Sequence, residues 1–409
     1  MMRPTAILVP LLFSFIAAND VIDLSADLET GNLANPGAAA ITATASAFSE
    51  IRTALVLEHG KIVAEYARDD VDSNDFYQVW STTKSWMSML FGFAFEEGLI
   101  GLGETLGEIF TNESVWAELN ATEVDFKRNV TIYEMLTMTS GLQNPIIDDP
   151  VDGEAAVLDG GDAGGGTLVG SLAWPSVGEK GIFHYLGVSN ILSYVLQERT
   201  GMSPREYLAE KVLPAFGLQD SNIDWWQNAD GLEYAYHGLE LTAKQMAKFG
   251  QLYLQGGLSA PDTQLLTPEW VSNSTSVQVQ EATIVSPADP SIRLTGKYGY
   301  LFWIINGSNI GVPNTGQFYC TIGLGGQDIC VDPELDRVSV QQRDFEDGAG
   351  NLIIAAAALD KNISFEGVEG GNVTSTMTSG SKWLYPSAFL AGSVAFIYSV
   401  SAVIAMIYE

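Results

Sequence analysis

The sequence predicts an α/β fold in which one sheet is built from the two ends of the chain and a helical region is inserted between them. Three observations predict it. Strand-like runs rich in β-branched residues occur near the start, at 53–57 and 61–66, and return only from residue 298 onward. Helix-capping patterns fill the middle of the chain. The 409 residues are 46% hydrophobic and 17% charged, which is enough apolar material for a large buried core.

Taken in order, 53–57 and 61–66 join through Glu58-His59-Gly60 as a hairpin. Residues 81–99 carry apolar side chains on nearly every face (Trp86, Met87, Met89, Leu90, Phe91, Phe93, Phe95) and stop at Gly98. A helix apolar all round is a buried helix. Thr131-Ile132-Tyr133-Glu134 and Ser203-Pro204-Arg205-Glu206 have capping-box form, the second with proline at the first helical position. Residues 242–254 form an amphipathic helix closed by Gly256-Gly257. Strands follow at 298–305, 317–322, 327–331 and 337–341, then a last helix at 351–359. Residues 143–169 are acidic and glycine-rich, the composition of a surface loop and of lids. No internal repeat is present.

The two ends read as addresses. Arg3, an apolar run over 6–16 and the small residues Ala17-Ala18 make residues 1–18 a signal peptide, cut after Ala18. Seven Asn-x-Ser/Thr sequons follow, at Asn112, Asn120, Asn129, Asn273, Asn306, Asn362 and Asn372, so the expectation is a glycoprotein of the secretory pathway. A single folded domain is expected over 19–365, then a polar linker over 366–383 and an apolar tail over 384–409. That tail reads as a lipid-anchor signal or a membrane-spanning helix, which places the protein at the cell surface and attaches it to the membrane at its C-terminus. Nineteen Lys and Arg against fifty Asp and Glu leave a formal net charge of -31, which excludes nucleic acid as a partner. Two cysteines, Cys320 and Cys330, are too few for a cysteine-rich zinc site. A hairpin about Gly323–Gly326 would set them level on neighbouring strands, where an oxidising compartment favours a disulfide.

Chemistry concentrates at Ser81-Thr82-Thr83-Lys84, at the start of the buried helix. Three-residue spacing places the hydroxyl and the amine on one helical face. A serine hydroxyl needs a base, and a lysine serves only when burial disfavours its charged form. The apolar helix supplies that burial. The alternative reading of the same four residues is a capping serine with a surface lysine, since Ser-x-x-Lys often arises by chance.

The neighbourhood decides between them. Trp80-Ser81-Thr82-Thr83-Lys84-Ser85 resembles the nucleophile motif of the β-lactamase-related serine hydrolases, a superfamily that includes penicillin-binding enzymes, family VIII-type esterases and aminohexanoate-oligomer hydrolases. Residues 133–142 (Tyr-Glu-Met-Leu-Thr-Met-Thr-Ser-Gly-Leu) are similar to a further family segment, and 183–190 (Phe-His-Tyr-Leu-Gly-Val-Ser-Asn) resemble the second motif. Residues 238–243 resemble the opening of a family helix. Gly323-Leu324-Gly325-Gly326-Gln327, with Val331-Asp332-Pro333 after it, resembles the third motif. All occur in family order between residues 50 and 345.

The resemblance implies a β-lactamase/transpeptidase-like fold with a mainly antiparallel sheet flanked by helices. It implies Ser81 as nucleophile, Lys84 as base and Tyr185 as proton relay. Asn190 becomes a supporting residue, one residue closer to Tyr185 than the commonest related spacing. The N–H groups of Ser81 and Gln327 become the oxyanion hole, beside Leu324 and a strand of Gly325 and Gly326 that substrate approaches closely. Leu324 stands where the family usually has lysine or histidine, so the expected substrate is an uncharged ester or amide and not a penicillin-like acid. No metal and no organic cofactor is expected.

Other constellations fail. No Gly-x-Ser-x-Gly elbow occurs, and Asp70-Val71-Asp72-Ser73-Asn74-Asp75 lacks the later glycine and glutamate of a calcium loop. Trp225-Trp226 are placed in the core or along an apolar pocket. The alternative to a hydrolase is a catalytically silent cell-surface binding module that keeps the fold.

Overall fold

The structure is a computed structural model that describes residues 21–142, 167–173, 179–185, 189–285, 293–310, 316–344 and 352–366. The signal peptide, most of the glycine-rich 143–169 segment, the linker beyond residue 366 and the apolar tail lie outside the described residues.

The chain enters through helix α1 (Pro36–Ser46), capped by the Asn35 side chain with Pro36 at its first position. Strands β1 (Ile51–Glu58) and β2 (Lys61–Ala67) form the expected hairpin. Its two turn residues, His59 and Gly60, have φ of 51° and 71°, the paired positive angles that let a two-residue turn follow strand twist. β3 (Tyr77–Gln78), β4 (Asp224–Trp225) and β5 (Leu239–Leu241) make a small sheet of order β3-β5-β4. β6 (Leu258–Ala260) and β7 (Thr263–Gln264) form a two-stranded hairpin. The main sheet is completed by β8 (Val279–Val285), β9 (Arg293–Tyr298), β10 (Trp303–Asn306), β11 (Gln317–Gly323), β12 (Gln327–Asp332) and β13 (Arg337–Arg343).

That sheet has eight strands in the order β2-β1-β13-β12-β11-β10-β9-β8, each antiparallel to its neighbours. The two ends of the chain meet where β1 pairs with β13, Leu55 opposite Val340. The single sheet from both termini is therefore as the sequence predicts. Both faces are covered, which is why β1 is buried along almost its whole length. Ala54 and Val56 pack with Ile41 of α1 and Ile354, while Leu55 and Leu57 face the main core with Phe249.

The inserted region supplies helix α2 (Thr83–Glu96), whose residues 83–94 are all buried. The capping boxes expected at Thr131 and Ser203 form in full, and further boxes form at Thr105, Gln219 and Thr242, the last of which starts the helix Ala243–Leu254. Helix α1 and strands β8 and β9 were not legible. α1 is built from alanine and threonine with no apolar periodicity to mark it, and β8 and β9 are short strands with polar residues between their apolar ones.

Cys320 and Cys330 face each other in the β11–β12 register, with Sγ atoms 2.01 Å apart, so the expected disulfide is present. Lys248 ties the N-terminal segment to the core: its Nζ donates to the carbonyls of Leu24 (2.8 Å), Ala26 (2.9 Å) and Phe216 (2.8 Å). Lys248→Met leaves those acceptors without their donor, and urea unfolding is expected to show a loss of about 2 kcal/mol or more.

Candidate active site

Ser81 does not open the helix, as the sequence suggested. It lies in a 3-10 turn, Trp80–Thr82, that feeds α2. Trp80 has a φ of 48°, left-handed backbone that a bulky residue adopts only under external constraint. The constraint is visible on both sides. The Val79 N–H donates to Leu239 O at 2.8 Å, and a Cβ placed on Gly323 of β11 would lie 2.3 Å from Val79 O. The Thr82 hydroxyl donates to Gln327 O at 2.7 Å and lies 3.1 Å from the Thr321 hydroxyl. Ser85 Oγ donates to Leu301 O at 2.6 Å. Two hydroxyls thus clamp the turn and the first helical turn to their neighbours, and Ser81 is held between sheet and helices.

Lys84 Nζ donates to Ser81 Oγ at 2.7 Å and to Tyr236 O at 3.2 Å. It is 1% exposed, and its amine lies 5.0 Å from the Tyr185 ring centre and 5.7 Å from that of Tyr236. Burial holds its pKa well below the ordinary lysine value. Tyr185 shares side-chain hydrogen bonds with Ser81 and with Trp303. Burial dominates over both and pushes its phenol up to about 12. Phe183, Tyr298 and Trp303 pack around its ring at centroid distances of 6.3, 6.4 and 5.5 Å. An amine whose charged form burial disfavours, a serine hydroxyl and a neutral phenol therefore sit in one dry cluster.

The other expected residues are placed less directly. Asn190 is buried at the start of the helix Ser189–Thr200, which packs on α2. Leu324 is 1% exposed and belongs to the main core. Gly325 and Gly326 are turn residues between β11 and β12, not strand residues, with φ of 72° and 88°. Their glycine character answers to that backbone. A Cβ on Gly326 would also come within 2.6 Å of Arg343 Cδ and 2.8 Å of Gln341 Nε2. Gln327 starts β12 and is linked to Ser81 through Thr82. Its side chain points the other way, donating to Arg343 O at 2.8 Å and accepting from Arg343 N at 3.1 Å.

Sequence reasoning missed Tyr236, His237, Trp303 and Thr321. None carries a motif; each arrives through the packing of β5, β10 and β11 about the turn at Ser81. His237 is 1% exposed, stacked on Tyr234 with ring centres 4.4 Å apart and edge-on to Tyr236 at 4.3 Å. Burial, reinforced by Lys84, lowers its pKa to about 3, so it is a neutral imidazole. Its Nδ1 has no hydrogen-bond partner among the described residues. The tryptophan pair divides its roles: Trp225 is buried with Nε1 on Tyr234 O, whereas the half-buried Trp226 donates to Glu240 and lies 6.0 Å from the His237 ring.

Behind the β11–β12 turn runs a buried polar layer. Arg343 pairs with Glu50, and the Asp328 carboxylate accepts from Leu352 N and Gln341 Nε2 at 3.1 and 3.2 Å. Burial raises Asp328 to about 7. Among the described residues, no group of three or more His, Cys, Asp or Glu is placed to hold a metal ion.

A family model described as Beta-lactamase matches residues 27–354. The chain belongs to the beta-lactamase family. That match spans the main sheet from β1 to β13 and the inserted helices. Among curated proteins, the 6-aminohexanoate-dimer hydrolase of Paenarthrobacter ureafaciens is 24% identical over 334 residues, covering 75% of this chain and 78% of that one. Among solved structures, a family VIII carboxylesterase superposes with a TM-score of 0.55 at 15% identity, covering 80% of this chain and 98% of that one. A penicillin-binding protein homolog from Caulobacter crescentus gives a TM-score of 0.55 at 16% identity, covering 76% and 93%. At these identities the structural likeness shows the fold, which is the β-lactamase/transpeptidase-like arrangement that the motifs implied.

Proposed function

We propose that this chain is a serine hydrolase that cleaves an uncharged ester or amide through an acyl-enzyme on Ser81. The observation that carries this reading is the 2.7 Å contact between Lys84 Nζ and Ser81 Oγ inside a desolvated cluster that also holds Tyr185. Ser81 Oγ attacks the substrate carbonyl carbon as its proton passes to the Lys84 amine. The N–H groups of Ser81 and Gln327 receive the oxyanion. Tyr185, whose phenol keeps its proton until about pH 12, donates to the departing oxygen or nitrogen and is reprotonated from Lys84. Water then repeats the sequence and releases the acid. His237 is held neutral, so it takes no proton in this scheme.

The substrate class follows from what surrounds the nucleophile. Trp80, Tyr185, Tyr236 and Trp303 pack aromatic rings about Ser81 and Lys84, and Leu324 brings no cation to the third motif. The net charge of -31 further disfavours anionic substrates. The aminohexanoate-dimer hydrolase and the carboxylesterase among the similar proteins support an amide or an ester by their names.

The test is labelling with a serine-directed fluorophosphonate, wild type beside Ser81→Ala. Labelling that depends on Ser81 is expected. A folded wild type that stays unlabelled points instead to the silent binding module. Delivery to the cell surface by residues 1–18 and 384–409 belongs to the same proposal; a phosphatidylinositol-specific phospholipase is expected to release the protein from intact cells if the tail directs a lipid anchor.

The pH dependence has a defined sign. Lys84 accepts a proton only when uncharged, so kcat/KM falls as pH falls through the Lys84 ionisation, about tenfold per unit on that limb. Above it the rate is level until Tyr185 ionises, at about 12. Because burial holds the Lys84 pKa well below 10.5, the level region is expected to begin well below that pH. A short-chain ester assayed from about pH 5 to about pH 9 checks this; a rate still climbing at the alkaline end rules out a desolvated lysine base.

A further inference from the structure

The outer face of α1 lines a concavity far in sequence from Ser81. Residues 31–49 contain no charged side chain, although charged residues make up 17% of the chain. The inner face of the helix, including Ala38, Ile41 and Ala45, is buried against β1, β2 and the helix Ile353–Ala358. Its outer face contributes Ala40, Ala43, Ala47 and the neighbouring Phe48 to an apolar groove of about 500 Å³, within the size range of small-ligand sites. The opposite wall is the segment 362–364, Asn-Ile-Ser, which is a complete glycosylation sequon. Of the six sequon asparagines among the described residues, Asn362 alone lines this groove.

The wall is held firmly. Ser364 O accepts from Gly37 N at 3.1 Å, Ile363 O accepts from Arg337 Nη2 at 2.9 Å, and Phe365 is buried against Gly37. Asn362 is exposed, and its Nδ2 donates to Asp360 Oδ1 at 2.6 Å. An uncharged apolar groove open to solvent calls for an occupant. A sugar ring has an apolar C–H face and a rim of hydroxyls, which suits a shallow groove of alanines with Phe48 beside it.

We propose that Asn362 is N-glycosylated and that the first sugars of its glycan lie in the groove on α1, shielding it from water. In the transfer, Nδ2 bonds to the anomeric carbon of a lipid-diphosphate-linked oligosaccharide. The anomeric C–O bond breaks, the lipid diphosphate leaves with that electron pair, and one Nδ2 proton is lost. The remaining N–H keeps its bond to Asp360. Because the sugar is tethered at the groove wall, docking is intramolecular and weak contacts suffice. This inference rests on the secretory reading of residues 1–18 and is independent of the hydrolase chemistry.

The experiment uses the full chain made in secreting eukaryotic cells. Glycopeptide mass spectrometry is expected to find Asn362 occupied; an unmodified Asn362 in secreted protein overturns the proposal. In native protein, peptide-N-glycosidase is expected to release the Asn362 glycan at least about tenfold more slowly than from Ala43→Arg, which keeps the sequon and obstructs the groove. Equal release rates mean an undocked glycan and also overturn it. Ser364→Ala, which removes the acceptor signal and keeps Asn362, is expected to raise binding of an apolar-surface dye, and Ser364→Thr, which keeps the signal, to restore wild-type behaviour.

Discussion

Ser81→Ala is expected to lower turnover by about 10⁴- to 10⁶-fold while leaving the fold intact, the size of loss seen when a nucleophile that acts as a unit with its base is removed. The alanine keeps the left-handed Trp80, the clamps at Thr82 and Ser85 and the burial of α2, and it removes only the oxygen that Lys84 and Tyr185 share. Lys84→Met is expected to give a comparable loss by a different route, since the hydroxyl remains but nothing takes its proton. The two variants separate in stability. Lys84 is a buried amine whose folded pKa is depressed, so the unfolded chain binds its proton more readily than the folded one. Lys84 therefore destabilises the fold increasingly as pH falls from its ordinary value of 10.5 to its folded pKa, and above 10.5 that penalty is absent. Methionine removes the penalty, and each unit of depression it relieves at a given pH is worth about 1.4 kcal/mol. Urea unfolding at neutral pH is thus expected to find Lys84→Met more stable than wild type and Ser81→Ala close to it. A destabilised, inactive Lys84→Met would mean that the amine is structural.

The largest stability effect is expected far from any motif. Glu50→Ala removes the carboxylate that pairs with the Arg343 guanidinium, 1% exposed, and breaking one partner of a buried pair costs about 3–5 kcal/mol. The consequence reaches the site. Arg343 backs the glycine turn at Gly326, and its main chain holds the Gln327 side chain on both sides. A fall in kcat/KM is therefore expected at temperatures where Glu50→Ala is still folded. Glu50→Gln, which keeps an acceptor without the charge, is expected to lose less. Chemical unfolding of the three proteins checks the order, and an unshifted midpoint for Glu50→Ala excludes this account of the buried layer.

Much of the fold was written in short-range signals. Thr131 and Ser203 announce helix starts through the spacing of their capping partners, and each forms the predicted box. His59-Gly60 announces a hairpin, and the apolar run after Lys84 announces a buried helix. Ser81, Lys84 and Tyr185 were legible because two of them share one local motif and the third sits in a recognisable second one. The reason assigned to Gly325 and Gly326 was not legible: the sequence suggests close approach of substrate to a strand, whereas the turn angles and the Arg343 side chain behind it require glycine. Nor was Leu324, which reads as a missing cation but spends its side chain in the core.

The amino-acid order alone determined which chemical groups are available, because spacing within a turn fixes what shares a helical face and capping is settled over three or four residues. Only the tertiary structure decided that Trp80 is forced into a left-handed conformation and that Tyr236, His237 and Trp303 pack about Lys84 and Tyr185. Burial depends on what strands and helices distant in sequence bring together, and desolvation acts on a side chain through all of its neighbours at once.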